Sequence, residues 1–166
     1  RDQALQVSGL LVNKVGGSSV FPPQPIGIDN SAYAGDRWKT SSGENKYRRG
    51  IYTFWRRTSP YPTFQIFDAP SREVYCARRN QSNTPLQALA LLNDPVFVEA
   101  AKALGKRMAE HKAKNDNDRI CFGFRLCTAR YPNDLELTTL ARLLANDGWE
   151  AVGTVLLNLD EMVTRE

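Results

Sequence analysis

From residue 84 onward the chain marks helix starts at short intervals, and this series constrains its fold more than any other feature. Thr84-Pro85 sets a side-chain cap directly before a proline at the first helical position, where the missing N–H costs nothing. Asp94-Pro95 repeats the device, so Asn93-Asp94 marks a sharp corner. Asp116 or Asn117 begins the next helix, Asn133 with Glu136 three residues on resembles a capping box, and Gly148 opens the last. Behind the starts run apolar stripes at helical spacing: Phe97, Ala100, Ala101, Leu104 and Met108, then Ile120, Phe124 and Cys127. Leu137, Leu140, Ala141 and Leu144 form the third stripe, and Trp149, Val152, Leu156, Leu159 and Val163 the fourth. About five short amphipathic helices over 84–163, joined by brief links, predict a helical bundle.

The N-terminal part reads differently. Ala4, Leu5, Ser8, Leu11 and Val12 have helical spacing, which predicts a helix over 1–12 stopped by Gly16-Gly17. Residues 13–46 are rich in Gly, Pro, Ser and Asn, including Phe21-Pro22-Pro23-Gln24-Pro25. Irregular stretches of that length are usually functional or wrapped on a neighbour. Residues 47–69 are aromatic and basic, and Ile51-Tyr52-Thr53-Phe54-Trp55 has the content of a short strand. Both faces of that strand are apolar, so it is expected to be covered on both sides and ended by Pro60 and Pro62. Ser71 is placed to cap a turn through Glu73 and Val74, after which the chain is expected to turn helical. The expected fold is therefore mainly α: a helix over 1–12, an irregular aromatic and basic segment with a short β piece over 13–70, and a bundle of short helices over 71–166. Its 166 residues suffice for one domain, or for the C-terminal part of a larger one.

Composition removes several function classes. The net charge of +4, from 22 Lys and Arg against 18 Asp and Glu, is too mild to indicate nucleic acid as a partner. The longest apolar runs, such as Ala88-Leu89-Ala90-Leu91-Leu92, are too short to span a bilayer. Cys76, Cys121 and Cys127 form no Cys-x-x-Cys pair, and His111 is the single histidine, so neither zinc nor haem is expected in this chain. The three thiols are expected to be buried and structural. His111 reads as a surface cation near a helix C-terminus, not as a member of a catalytic triad. Gly16-Gly17 lacks the remainder of a phosphate loop.

The strongest polar concentration comprises Arg48, Arg49, Arg56, Asp68, Arg72, Glu73, Arg78 and Arg79, with Arg57 beside them and Trp55 among the aromatics. Guanidiniums interleaved with rings can hold sulfate, phosphate or carboxylate bidentately. That chemistry makes an anionic-ligand groove, for a sulfated or uronic polysaccharide. The alternative is an internal Arg–carboxylate network pinning irregular backbone onto the helices, and the interspersed carboxylates favour it. Arg72, Glu73, Arg78 and Arg79 are then expected to be buried and paired. Asp68 and Glu73, with Arg72 between them, read as its partners and not as a glycosidase pair.

Several motifs carry a resemblance. Tyr47-Arg48-Arg49-Gly50-Ile51-Tyr52-Thr53-Phe54-Trp55-Arg56-Arg57-Thr58-Ser59-Pro60, Phe67-Asp68-Ala69-Pro70-Ser71-Arg72-Glu73 and Asn83-Thr84-Pro85-Leu86-Gln87-Ala88-Leu89-Ala90-Leu91-Leu92-Asn93-Asp94-Pro95 are similar to signatures of a planctomycete-specific domain family of unknown function. The opening Arg1-Asp2-Gln3-Ala4-Leu5 and the closing Leu156-Leu157-Asn158-Leu159-Asp160-Glu161 resemble it too. The likeness covers nearly the whole chain and corresponds to the C-terminal half of the family domain, so a longer polypeptide is expected. Two departures stand out: Tyr75 follows Arg72-Glu73-Val74 where the family tends to place a cysteine, and the link around Asn146-Asp147-Gly148 is short.

The resemblance implies an extracytoplasmic (periplasmic or secreted) setting, downstream of another planctomycete-specific domain and of a cytochrome-c-like module that would carry haem elsewhere in the polypeptide. It implies no catalytic residues. Three functions follow as expectations. The first is a non-catalytic structural or interaction domain whose partner is the remainder of the polypeptide or a companion chain. The second is binding or cleavage of an anionic polysaccharide by the Arg and aromatic segment. The third is docking of the cytochrome-c-like module.

Overall fold

The computed structural model describes residues 1–25, 38–57, 59–80 and 82–164; the middle of the long N-terminal excursion and Thr58 of the basic motif lie outside the described residues. The chain is mainly helical, as its capping pattern predicts. α1 (Asp2–Ser8) and α2 (Pro62–Ile66) are short, and α3 (Pro85–Asn93), α4 (Pro95–Ala109), α5 (Asp116–Thr128), α6 (Asp134–Leu157) and α7 (Asp160–Val163) form the bundle.

The caps sit where the polar residues put them. Thr84 and Gln87 form a reciprocal capping box on α3, and Asn133 and Glu136 do the same on α6. Asn115 caps α5, just ahead of the expected start. Gly148 (φ 79°) breaks α6 into two stretches because its backbone leaves the helical region there. The expected last helix is itself interrupted: Asn158 ends α6 and Leu159 begins α7, although Leu159 and Val163 still pack on the core.

α4 lies at the centre, against α1, α3, α5 and α6. Ala100, Leu104, Met108, Ile120, Phe124, Val152 and Leu156 are fully buried between these helices. The approach of α4 to α6 is closest at glycines. A Cβ on Gly105 would stand 2.5 Å from the Trp149 carbonyl oxygen, and one on Gly153 would run into the Ala101 carbonyl. Arg130 clasps the far end: its guanidinium bonds both oxygens of Glu136 (2.7 and 2.9 Å) and reaches Glu161 on α7 at 2.8 Å. That guanidinium, with the Asn133 N–H, holds the Glu136 carboxyl down at about 2.

Three expectations are corrected. The first helix ends at Ser8, not at residue 12. Gly9 (φ 80°) terminates it in a Schellman closure, donating to the Gln6 carbonyl while Leu10 donates to that of Leu5, so Gly16-Gly17 is not the stop. Arg107 then ties this end to α4 through a 2.7 Å bond to the Val7 carbonyl.

The strand over 51–55 is absent. Gly50–Tyr52 is a 3-10 turn whose Thr53 N–H closes back on the Gly50 carbonyl, and only an isolated bridge joins Thr53 to Val20. The Tyr52 and Thr53 N–H groups are satisfied locally, and the Tyr52 carbonyl and Phe54 N–H pair with Val20 alone, which is too little for a ladder. Ile51 and Phe54 are accordingly exposed instead of covered. Helical structure also does not begin at residue 71. Ser71 does accept the Glu73 N–H, but residues 71–80 stay irregular and exposed up to the Thr84 cap.

A second, aromatic core holds the irregular segment. Phe54 stacks on Phe21, Phe21 meets Trp38 edge-on, Trp38 stacks on Tyr61, and Tyr61 meets Phe64. Tyr61 is buried and donates to the Pro23 carbonyl at 2.7 Å.

Asp94 joins this layer to the bundle. Its carboxylate accepts the Val96 N–H (2.9 Å) as the cap of α4 and the Thr63 hydroxyl (3.0 Å) from α2. Burial pushes its pKa above the usual carboxylate value, against the pull of those two donors. A carboxyl raised in the folded state contributes stability below its unfolded pKa, and loses it as pH rises through the folded value. Asn caps a helix about as well as Asp. Wild type is therefore expected to gain on Asp94→Asn as pH is lowered from 7 to 4, read from urea midpoints; a gap that is constant with pH would contradict it.

Candidate functional site

The basic segment does not act as one cluster. Arg48 is 2% exposed and turned inward. Its guanidinium donates to the carbonyls of Lys14 (3.1 Å), Ser18 (3.2 Å) and Gly16, and lies 3.8 Å over the Tyr52 ring. It organises the turn at 13–19 through carbonyls, not carboxylates. Arg49 is exposed, and Arg56 is half-buried with its guanidinium 6.0 Å from the Trp38 ring.

Arg72, Glu73, Arg78 and Arg79 are all exposed, which corrects the expectation that they are buried and paired within the chain. No ion pair involves them among the described residues. The segment carrying them has no apolar stripe with which to bury itself, and in place of carboxylates Arg72 meets an aromatic ring and Arg79 two backbone carbonyls. Cys76 lies in the same exposed run, so it is not a buried structural thiol. Cys127 is buried, and burial pushes its thiol up to about 12. His111 is half-buried, stacked face to face on Phe122 at 3.7 Å.

Two of these arginines meet Trp55 at a cleft of about 610 Å³ between α1, α2 and the exposed run. Arg1, Asp2, Gly50, Trp55, Arg72 and Arg79 supply its polar and aromatic rim, and Ile51, Phe64, Phe67 and Pro70 its apolar walls. Arg72 places its guanidinium 4.4 Å from the Trp55 ring centroid, and Phe64 stacks on the same indole at 6.1 Å. Arg79 is tethered through carbonyls, Nη2 to Phe67 at 3.2 Å and Nε to Asp68 at 3.4 Å. Asp68 itself accepts the Ser82 N–H and hydroxyl and a weaker bond from the Gln87 amide.

Sequence reasoning missed the contribution of α1. Arg1 spends its guanidinium on the carbonyls of Lys46 (2.7 Å) and Arg48 (2.9 Å), and both Asp2 oxygens accept the Gly50 N–H at 2.8 Å. No local pattern announces contacts forty-odd residues apart. Three arginines and one carboxylate thus line the cleft, and that carboxylate is engaged by Arg1 at 3.3 Å and by the Gly50 N–H.

Every residue of this cleft falls within the stretch 1–144, which matches a family model described as "Protein of unknown function (DUF1553)", PSD1. The chain belongs to this family. Nothing among the curated proteins or the solved structures matches the DUF1553 chain. Among the described residues of this DUF1553 domain no group of His, Cys, Asp and Glu is arranged to hold a metal ion, and no helix is long and apolar enough to cross a membrane. The cleft offers cationic donors and apolar walls, an arrangement suited to holding an anion.

Proposed function

We propose that this DUF1553 chain is a non-catalytic interaction domain of an exported multidomain protein, seated through α3 against a neighbouring domain of the same polypeptide. The observation that carries this reading is the reversed polarity of α3. Gln87 and Leu91 point inward, while Leu86, Leu89 and Leu92 are 56%, 58% and 52% exposed. Apolar residues on both sides of a helix are the pattern of a helix covered on both sides. Each leucine is already nearly half covered, so burying the rest on a partner would contribute about 1 kcal/mol apiece. The exported, multidomain setting is supported by the family resemblance.

The triple variant Leu86→Glu, Leu89→Glu, Leu92→Glu in the isolated chain tests it. Glu is nearly as good a helix former as Leu, so α3 persists. Wild type is expected to bind a hydrophobic dye and to self-associate in sedimentation, and the variant to do neither while melting at a similar temperature. Wild type that stays monomeric and dye-free would contradict the reading.

Binding of an anionic polysaccharide is a second reading, favoured by one observation: Arg72 and Arg79 line an open cleft without a carboxylate partner among the described residues.

A further inference from the structure

We infer that Arg72 and Arg79 form an oxyanion site on the rim of the Trp55 cleft, which takes a sulfate or carboxylate group carried on a saccharide. The inference rests on the second reading above and names its site and ligand class. Arg48, Arg49 and Arg78 are outside the cleft lining, so the ligand chemistry belongs to two of the basic residues and not to the whole segment.

Both guanidiniums are held in place by contacts that leave hydrogen-bond donors free. Arg72 has φ 64°, a left-handed backbone that a residue with a Cβ adopts only at a cost, and its guanidinium rests on the Trp55 ring. Ring contact uses none of its five N–H donors, and among the described residues they have no other partner. Arg79 uses Nε and Nη2 on two carbonyls, and among the described residues its Nη1 has no partner. Fixed guanidiniums with donors to spare match the paired oxygens of a carboxylate or sulfate. The Asp2 carboxylate pairs instead with Arg1 at 3.3 Å and with the Gly50 N–H, and no ion pair joins it to Arg72 or Arg79 among the described residues.

The apolar walls define what carries the anion. Ile51, Phe67 and Pro70 line the space beside the two arginines, and the cleft volume falls in the range that encloses a ring-sized ligand. A sugar ring presents C–H faces to such walls and its oxyanion to the rim. It does not stack on Trp55, because Arg72 and Phe64 already contact that ring. Trp55 is instead the reporter: drawing the Arg72 charge toward a ligand changes the field on the indole.

The test titrates the 166-residue chain with a sulfated heparin tetrasaccharide, an oligogalacturonate and inorganic sulfate at constant ionic strength, by calorimetry and tryptophan fluorescence. At least one saccharide is expected to bind with a fluorescence change. Arg72→Gln with Arg79→Gln is expected to weaken it about tenfold or more without moving the melting temperature, while Arg49→Gln with Arg78→Gln leaves it unchanged. Binding that survives Arg72→Gln with Arg79→Gln overturns the site while the polysaccharide reading stands. Absence of binding by both saccharides overturns the reading itself. Inorganic sulfate binding as tightly as either saccharide overturns the saccharide part.

Discussion

Gly153→Ala is expected to lower the unfolding free energy by about 3 kcal/mol, at the upper end of what an overpacked core costs. The added methyl would enter the Ala101 carbonyl and stand 3.2 Å from the Gly105 nitrogen, and both atoms are backbone of a helix that cannot step aside. Replacing Gly by Ala inside a helix returns only about 1 kcal/mol of propensity, so the clash wins. Gly105→Ala meets the Trp149 carbonyl from the other side and is expected to behave alike. Gly123→Ala is the control. There the methyl meets the Met108 side chain, whose unbranched thioether can move, so the loss is expected to be smaller. Urea midpoints of the three variants decide this. If Gly153→Ala were as stable as wild type, the close crossing of α4 and α6 would be wrong.

Arg48→Ala is expected to cost about 3 kcal/mol, because bonds from a charged donor are each worth roughly 1.5–3 kcal/mol. Three such bonds are lost. The carbonyls left behind belong to exposed residues and regain water, which holds the total near the value for one or two bonds. Lysine keeps the charge but cannot fork to three carbonyls, so Arg48→Lys is expected to fall between. Arg72→Ala, at an exposed position with a ring contact alone, is expected within about 0.5 kcal/mol of wild type. Trypsin provides a second readout: Arg48→Ala is expected to speed cleavage after Lys14, and Arg72→Ala to leave it unchanged. Equal effects of the two substitutions on stability would remove the division of the basic segment into an inward and an outward part.

That division shows where the sequence was legible and where it was not. Caps and stripes are local: Thr84 with Gln87, and Asn133 with Glu136, sit within one turn of each other, so the helices could be read directly. The end of α1 could also have been read from Gly9, a residue free to take positive φ, but Gly16-Gly17 offered a stronger-looking stop. The burial of Arg48 depends on carbonyls 30 or more residues away and the placement of Arg72 on a ring seventeen away, and residue type carries no trace of that. The aromatic residues at 51–55 have strand composition, yet Asp2 takes the Gly50 N–H and the chain closes on itself. α3 is the converse case. Its start was marked by Thr84-Pro85, yet nothing local said which leucines turn inward, and only Leu91 among them is buried.

The claim that this family member works by seating α3 on a neighbouring domain is tested most directly by side-chain carbene labelling. The labelling compares the 166-residue chain alone with the protein as it is assembled in cells. The account predicts strong labelling of Leu86, Leu89 and Leu92 in the isolated chain and several-fold protection of all three in the assembled protein, with exposed Leu135 labelled in both as the internal reference. Equal labelling of the three leucines in both samples would contradict it.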